Sequence, residues 1–356
     1  MLDLIREQVQ SHKLDGLFIT NRSNVFAMSG FKGSNALALI TRTQAYVFTD
    51  PRYLEKAEAG VSSEWKVQDM SLGLFDILQT LIAKHRLKHL GFEANHTTVA
   101  FHQKLNTLMG VQWKSTVDLV ERVRQVKNLE QRKSLRLSQR LNEETLKLTL
   151  ERIKPGMTEI AIAWIIRMMA HDLGAEDVSF PPIVAFGAHT SRPHHEPTTK
   201  KLKRGDMMLI DMGVTHRNMA SDLTRTFFTK VPTAEQGDVY QTVLTAHQAA
   251  VMAAQAGNKA DDVDRAARLF ISDSGYKKKF GHATGHGIGY DVHELPRVAK
   301  GDMTELTAGM VIAIEPGIYV PGKFGVRIED LVEITAQGNK SLNHLPKDLL
   351  SARLKM

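Results

Sequence analysis

The N-terminal third of the chain alternates short apolar runs with amphipathic stretches. Apolar runs at 15–20, 36–41 and 45–50 (DGLFIT, ALALIT and AYVFTD) are each ended by a polar or turn residue, which predicts β-strands. Segments 74–86 and 100–109 have apolar residues at helical spacing. Strands that alternate with helices predict a small α/β domain.

A charged segment with regularly spaced leucines, 126–156, follows this domain and predicts a long amphipathic helix. The next run, 158–174, predicts a second helix that Thr158 caps. We interpret the first of these helices as the start of a second domain. The expected domains are therefore 1–125 and 126–356.

Two segments of the second domain, 204–214 and 308–318, resemble each other (RGDMMLIDMGV and AGMVIAIEPGI). In each, an apolar strand pattern ends at a carboxylate, and a second strand pattern with another carboxylate follows. The four acids are Asp211, Asp222, Glu315 and Glu329. We expect two pseudo-repeated halves that each offer a β-hairpin with two acids. Chance similarity between apolar strands is the alternative.

A carboxylate at the end of an apolar strand must be hydrogen-bonded, ion-paired or bound to a metal. A hairpin would bring Asp211 and Asp222 face to face, and two close carboxylates repel each other unless a cation lies between them. Turn capping is the competing interpretation of this pair. For Glu329 the competing interpretation is a salt bridge, because Arg327 lies on the same face of its strand.

The stretch FGHATGHGIGYDVHELPR, residues 280–297, contains three histidines and four glycines. Glycines let the backbone approach a crowded centre, and histidines supply nitrogen ligands or carry protons. A phosphate-binding loop would need a lysine and a hydroxyl after the last glycine, and both are missing. Four carboxylates and one imidazole suit two divalent ions such as Mn²⁺, Co²⁺ or Zn²⁺. The residues therefore predict a dinuclear metallohydrolase.

Composition narrows the remaining classes of protein. The 356 residues include no cysteine, which excludes disulfides and thiolate ligands and favours a cytoplasmic location. The net charge of +7 comes with short basic runs but no nucleic-acid-binding motif, so we interpret them as solvated surface. No apolar window reaches the length of a membrane span. We expect neither a nucleic-acid partner nor a membrane.

Four motifs resemble one family in order and spacing: DMGVTHRNMASDLTRTF, TGHGIGYDVHE, IEPGIY and GVRIED. They resemble the "pita-bread" metallopeptidases, family M24, and most closely the Xaa-Pro branch of prolidase and aminopeptidase P. SGFKGSN, TDPRY and RPHHEP extend the resemblance over essentially the whole chain. It implies an α/β (α+β) fold, with a small N-terminal creatinase-like domain and a C-terminal pita-bread (creatinase/aminopeptidase-like) catalytic domain.

The resemblance also implies a role for each matching residue. The five positions that match metal ligands are Asp211, Asp222, His286, Glu315 and Glu329. Glu315 additionally matches the carboxylate that handles protons. His194 and His293 match histidines that contact the substrate and stabilise the tetrahedral intermediate.

Two arginines complete the implied substrate site. Arg297 lies where some prolidases bind the carboxylate of the substrate, and Arg327 matches an arginine beside the last ligand. His282 matches a position outside the ligand set, which implies a supporting role. Asn218-Met219 departs from the Gly-Tyr that is common in the family, so the shape of the pocket is less well defined by the resemblance.

The implied reaction is hydrolysis of the bond before proline in Xaa-Pro dipeptides or short peptides. It would use two divalent ions, with Mn²⁺ preferred over Co²⁺ or Zn²⁺, in a homodimer. An aminopeptidase P that acts on longer peptides is the alternative. A methionine aminopeptidase would lack the N-terminal domain, whereas a metal-free creatinase-like hydrolase or a non-catalytic binding protein would have lost ligands.

Overall fold

The computed structural model describes residues 1–354 and divides into two compact units, Met1–Arg124 and Gln125–Met356. Within the described residues, no helix is both long enough and apolar enough to cross a membrane.

The N-terminal unit is built on one six-stranded sheet. Its strands are β1 (Gly16–Ile19), β2 (Leu37–Thr41), β3 (Ala45–Thr49), β4 (Trp65–Asp69), β5 (His89–Glu93) and β6 (Gln112–Thr116). Their spatial order is β4-β3-β2-β1-β5-β6; β1 and β3 each pair antiparallel with β2, and the other neighbours are parallel. The three predicted strands are confirmed, because the three apolar runs form the buried centre of this sheet.

Six helices belong to this unit. They are α1 (Leu2–Ser11), α2 (Arg22–Ser29), α3 (Leu54–Gly60), α4 (Leu74–His85), α5 (Val99–Leu105) and α6 (Leu119–Arg124). The predicted helix at 74–86 is confirmed. The helix predicted at 100–109 is wrong in its second half, because a tighter turn from Leu108 N–H to Leu105 O follows the end of α5.

In the C-terminal unit, the residues that the structure describes form four long helices. They are α7 (Leu129–Arg152), α8 (Glu159–Asp172), α9 (Ala234–Ala253) and α10 (Ala260–Ile271). The predicted long helix begins later than the charged segment does, since Asn128 and Gln131 form a reciprocal cap at its start. The second predicted helix is confirmed, and the side chain of Thr158 caps it by accepting a hydrogen bond from Ala161 N–H.

Up to residue 354, this unit also contains thirteen strands, which form four small sheets. They are β7 (Asp177–Val178), β8 (Ile183–Phe186), β9 (Met207–Met212), β10 (Val214–His216), β11 (Met219–Ala220), β12 (Leu223–Phe228), β13 (Gly285–Gly287), β14 (Glu294–Val298), β15 (Val311–Ile314), β16 (Gly317–Val320), β17 (Phe324–Arg327), β18 (Asp330–Thr335) and β19 (Gly338–Ser341). The sheet orders are β11-β10-β7, β12-β9-β8, β14-β13-β15-β18-β19 and β16-β17. Single helical turns lie at Met70–Leu72, Gly187–Ser191, Ser272–Tyr276 and Lys277–Lys279.

Two antiparallel strand pairs carry the four predicted acids at one end of each pair. In the first, β9 pairs with β12 and Asp211 lies opposite Thr224. In the second, β15 pairs with β18 and Ile314 lies opposite Asp330. The second strand pattern predicted around Glu329 is interrupted, because β17 ends at Arg327 and β18 begins at Asp330. Between them, Glu329 N–H donates to Thr224 O of β12. This bond brings the acid ends of the two pairs together.

Apolar packing against helices holds both strand pairs in place. Ile312 and Val332 of the second pair pack in a cluster with apolar residues of α9 and α10. Ile210 and Leu223 of the first pair pack in another, with Ile166 of α8. Burial on this scale stabilises a side chain by about 1.5–3 kcal/mol. The helices therefore hold the strands in place, and the acids at the strand ends are not needed for this apolar packing.

Candidate active site

The four acids predicted from the strand pattern converge at the joined ends of the two strand pairs. Asp211, Asp222 and Glu329 are at most 8% exposed, and Glu315 is partly exposed. Ligand atoms of Asp222, Glu329 and His286 all lie within 4.8 Å of one another. The acids thus come from both halves of the unit and meet at one histidine.

His286 presents an unprotonated nitrogen to these acids. Its Nδ1 lies 3.0 Å from the carbonyl oxygen of Gly287, which can only accept, so the proton is on Nδ1 and Nε2 has a lone pair. Nε2 lies 3.6 Å from Asp222 Oδ2 and 3.7 Å from Glu315 Oε1. These separations are too long for hydrogen bonds and suit ligand atoms that share an ion.

The glycines around His286 are required by the packing of β13. A Cβ on Gly285 would lie 1.8 Å from Ala313 O, and a Cβ on Gly287 would lie 2.1 Å from Leu295 O. Strand β13 lies between β14 and β15, so any side chain at these positions would push the sheet apart. The two glycines therefore hold His286 in the middle of the sheet.

The donor set fits a divalent metal. Three buried oxygens, Asp211 Oδ1, Asp222 Oδ1 and Glu329 Oε1, have no hydrogen-bond partner among the described residues. Buried carboxylate oxygens without a donor are costly and call for an ion. Carboxylate oxygen and neutral imidazole nitrogen are the donors that Mn²⁺, Co²⁺ and Zn²⁺ share.

The electrostatics of the cluster agree with a site for a cation. Burial, followed by repulsion from the other carboxylates, raises the pKa of Asp222 and of Glu329 well above their ordinary values. Burial raises the pKa of Glu315 to about 8 and lowers that of His286 to about 4. Both effects disfavour the charged forms in the metal-free chain, and a bound cation would favour the carboxylates and the neutral imidazole.

Arg327 is buried beside the acids, and its guanidinium bonds to protein atoms on every side. Nη2 donates to Asp211 Oδ2, and Nε donates to Thr224 Oγ1 at 3.1 Å. Nη1 donates to Tyr319 Oη at 2.8 Å and to Pro193 O at 3.3 Å. Arg327 therefore pairs across strands with Asp211 and not with Glu329, which bonds Thr224 Oγ1 at 2.7 Å instead.

The other predicted substrate residues lie around the cluster, and each keeps a large part of its surface exposed. The ring of His293 lies 4.4 Å from that of His286. His194 follows the Pro193 carbonyl that Arg327 holds, and it is close enough to lower the pKa of His293, which burial already lowers. Arg297 on β14 is directly opposite His286 on β13, so the two side chains share a face of the sheet.

Two family models match the chain. The Creatinase/Prolidase N-terminal domain matches residues 1–126, and Metallopeptidase family M24 matches residues 133–336, which is more than half of the chain. The chain belongs to metallopeptidase family M24. The predicted enzyme class, a metallopeptidase, is therefore confirmed, and divalent metal ions are the cofactors of this class.

The similar proteins match over nearly their whole length. A Xaa-Pro dipeptidase of Pyrococcus horikoshii is 31% identical, over 98% of this chain and 100% of its own. The structure of a Xaa-Pro dipeptidase from Bacillus anthracis matches with a TM-score of 0.94 at 30% identity, over 98% of each chain. That of an X-Pro aminopeptidase from Thermotoga maritima matches with a TM-score of 0.90 at 30% identity, over 98% and 99% of the two chains.

These matches confirm the resemblance to the Xaa-Pro branch and the predicted fold class. The N-terminal unit is the creatinase-like α/β domain, and the C-terminal unit has the pita-bread fold of the M24 family. The roles of the individual site residues stay predictions, and so does the substrate contact expected of Arg327, whose guanidinium is buried.

His282 has structural surroundings that agree with a supporting role, and Asn218-Met219, which departs from the Gly-Tyr of the family, lies at a hairpin turn. His282 Nδ1 lies 2.7 Å from Ala283 O and Nε2 lies 3.0 Å from Tyr319 Oη, so the ring connects its own loop to the tyrosine that Arg327 holds. Asn218, with φ of 59°, lies in the two-residue turn between β10 and β11. Met219 packs in a hydrophobic cluster and is 3% exposed.

Sequence reasoning missed a second group of ligand-type side chains, Glu159, His189 and His195. Glu159 is the first residue of α8, and its carboxylate lies 2.9 Å from both His189 Nδ1 and His195 Nε2. A signal was present, since three histidines lie within residues 189–195 (HTSRPHH), at a higher density than in the glycine-rich stretch.

Proposed function

We propose that this enzyme hydrolyses Xaa-Pro dipeptides at the bond before proline. The observation that carries the proposal is the position of Arg297. Its exposed side chain shares a face with His286, and within residues 1–354 its guanidinium has no ion-pair partner. A free cation one strand away from the metal ligands suits the C-terminal carboxylate of a dipeptide.

Asp211, Asp222, His286, Glu315 and Glu329 would hold two divalent ions, and we propose Mn²⁺ as the metal. When bound, the ions supply an activated water and polarise the scissile carbonyl. His194 and His293 donate hydrogen bonds to the carbonyl oxygen as it gains negative charge. Glu315, the accessible member of the four acids, passes a proton to the proline nitrogen while the carbon–nitrogen bond breaks.

Two properties of proline suit it to the leaving side of the scissile bond. Prolyl nitrogen has no N–H and its φ is fixed, so a rigid site can accept it without a hydrogen-bond acceptor for that position. Arg327 supports the surroundings of this site, because it donates hydrogen bonds to Asp211 and to the carbonyl of Pro193, which precedes His194. We also propose domain limits of 1–125 and 126–356, a homodimer and a cytoplasmic location.

The test is hydrolysis of Ala-Pro, Ala-Pro-Ala-Ala and Met-Ala-Ser by chelator-stripped protein, with and without added Mn²⁺. We expect metal-dependent cleavage of Ala-Pro in preference to the other two. Cleavage of the tetrapeptide instead would favour an X-Pro aminopeptidase, the activity of the relative from Thermotoga maritima. Cleavage of the methionine peptide alone would overturn the Xaa-Pro assignment.

The variant Arg297→Ala sharpens this test. A lost bond to a charged group costs about 1.5–3 kcal/mol, so kcat/KM for Ala-Pro should fall about 10- to 100-fold. The fall should be smaller for the tetrapeptide, whose carboxylate lies farther from the scissile bond. Lys300→Ala is the matched control, because Lys300 is an exposed cation just beyond the same strand. Equal losses on both peptides would contradict the role of Arg297.

A further inference from the structure

His194 and His195 are neighbours in sequence, but the structure gives them opposite surroundings. The side chain of His194 is exposed, whereas His195 is 5% exposed. His195 Nε2 lies 2.9 Å from Glu159 Oε2. Adjacent side chains leave the backbone in different directions, so a contact that keeps His195 buried also restricts the directions open to His194.

Glu159 accepts hydrogen bonds from the whole segment 186–198 that carries these histidines. Oε1 accepts from Phe186 N–H and lies at 2.9 Å from His189 Nδ1. Oε2 accepts from Thr198 N–H at 2.9 Å and Thr198 Oγ1–H at 2.7 Å, besides the contact with His195. One fully buried carboxylate therefore joins both ends and the middle of the segment.

A second anchor also holds this segment. Arg327 Nη1 donates to the carbonyl of Pro193, and Gly325 N–H of β17 donates to Thr190 Oγ1 at 2.8 Å. A Cβ on Gly325 would lie 2.3 Å from Thr190 O, so the segment fits closely on β17. His194 lies between the Glu159 anchor and the Arg327 anchor.

We propose that Glu159 is a positioning residue that acts through His194: by burying His195 and gathering segment 186–198, it directs His194 toward the substrate. The inference rests on the proposed function for the role of His194, but the geometry it asserts does not depend on the identity of the substrate. Burial alone would raise the pKa of Glu159, and the hydrogen bonds it accepts outweigh burial and lower the pKa. The charged carboxylate is thus the form that the segment is built around.

A third metal site is the competing use of Glu159, His189 and His195, and the hydrogen bonding argues against it. A carboxylate has about four lone-pair sites, and five donor groups already surround this one. Across the described chain, none of the polar atoms of these three side chains is buried without a partner, in contrast to the acid cluster. A metal would have to displace bonds that already satisfy the carboxylate.

The test compares Glu159→Gln, His194→Ala and the double variant, all loaded with Mn²⁺. We expect E159Q to lower kcat on Ala-Pro by about 10- to 100-fold, the scale of a misplaced catalytic group, with the metal content of the wild type. The double variant should be no more than about 3-fold slower than H194A, because both changes remove one function. Losses that multiply in the double variant, or an unchanged kcat in E159Q, would overturn the proposal.

The matched control is Glu93→Gln in the N-terminal unit. Glu93 is 6% exposed and gathers a loop in the same way, since it accepts from Thr20 N–H, Asn21 N–H and Asn24 Nδ2 at 2.6–2.7 Å. E93Q should change the pH dependence of the stability of its unit and leave kcat unchanged. A matching fall of kcat in E93Q would mean that any buried glutamate has this effect and would overturn the proposal.

A second readout does not require activity. Histidine labelled at Cε1 with ¹³C gives one resonance per ring, and the signal of His194 is the one missing from H194A. In Zn²⁺-loaded protein, E159Q should shift this signal and E93Q should not. If the wild type fails to cleave Ala-Pro while the shift occurs, the proposed function fails and the positioning stands; an unmoved signal would overturn the positioning.

Replacement of His195 provides the same test if E159Q does not fold. His195→Gln keeps a side-chain N–H near the position of Nε2, and His195→Leu removes it. We expect H195Q to retain more activity than H195L and to keep the His194 resonance closer to that of the wild type. Equal activity and equal shifts in the two variants would contradict a role for the bond to Glu159.

Discussion

The C-terminal unit contains two buried groups of acids and histidines, and they differ in what their oxygen atoms bond. In the group around Asp222, His286 and Glu329, buried oxygens have no donor, and burial with mutual repulsion raises the pKa of the acids. In the group around Glu159, every carboxylate oxygen accepts hydrogen bonds and the pKa is lowered. Burial is common to both groups, so the supply of donors distinguishes a metal site from a structural anchor.

The largest effect is expected from variants that remove a carboxylate from the first group, around Asp222, His286 and Glu329. Asp222→Asn or Glu329→Gln removes a charge that no other group replaces, so kcat should fall at least about 10³-fold and bound metal should fall with it. Elemental analysis of purified protein and the rate on Ala-Pro measure both. E159Q is the contrast, because it should keep its metal; loss of metal from E159Q would place both groups in one metal site.

Added metal should stabilise the folded protein only when the first group, around Asp222, His286 and Glu329, is intact. A ligand at 100 times its Kd adds about 2.7 kcal/mol, which corresponds to a rise in Tm of about 5 °C or more for a unit of this size. The wild type and E159Q should show this rise when Mn²⁺ is added to chelator-stripped protein. E329Q should not, and a full rise in E329Q would show that the metal binds elsewhere.

Thr224→Val tests the one hydrogen bond that the Glu329 side chain accepts from residues 1–354. Thr224 Oγ1 donates to Glu329 Oε2 and accepts from Arg327 Nε. Its replacement by a methyl group removes both of these hydrogen bonds. Outer partners of metal ligands are typically worth about 10- to 100-fold in metal affinity, and we expect a loss near the lower limit. Thr226→Val is the control, since Thr226 lies two residues along the same strand and bonds only the backbone of Arg327. Equal losses in the two variants would mean that strand β12, and not the bond to Glu329, is affected.

The smallest effect concerns pH. Because the folded pKa of Glu159 is lowered, its contribution to stability is present above its unfolded pKa of about 4.3 and is lost as pH falls through the folded value. Urea unfolding of metal-free wild type should therefore lose more free energy between about pH 5 and pH 3 than E159Q loses.

The pKa of Glu93 is shifted in the opposite direction to that of Glu159. Burial raises its pKa, so its ionisation above the unfolded pKa costs stability, and E93Q should remove a loss that the wild type shows as pH rises. If both variants change the pH profile in the same direction, the opposite pKa shifts assigned to Glu159 and Glu93 would be wrong.

Much of the fold could be predicted because hydrophobic periodicity is local. The strands at Gly16–Ile19, Leu37–Thr41 and Ala45–Thr49 and the long helices follow directly from the spacing of apolar residues. The end of α5 and the break before Glu329 could not be predicted. The first depends on a turn hydrogen bond, and the second on a bond to Thr224, more than one hundred residues away in the chain.

The candidate metal site was accessible to sequence reasoning because its chemistry requires particular residue types. Acids at the ends of apolar strands and a histidine between glycines seldom occur together for packing alone, and the family motifs assign each a place. The anchor around Glu159 has no such pattern: Thr158-Glu159 at the start of a helix is ordinary capping chemistry, and the histidines gain meaning only through their partner.

By itself, the sequence indicated the two-domain α/β organisation and the membership of a metallopeptidase family, and it predicted a set of donor atoms for two metal ions. The tertiary structure alone decided which carboxylates have enough hydrogen bonds, that Arg327 bonds Asp211 and not Glu329, and that His195 is buried while His194 is exposed. The physical reason is that residue type fixes which bonds a side chain can make, whereas the folded chain fixes which partners are within reach.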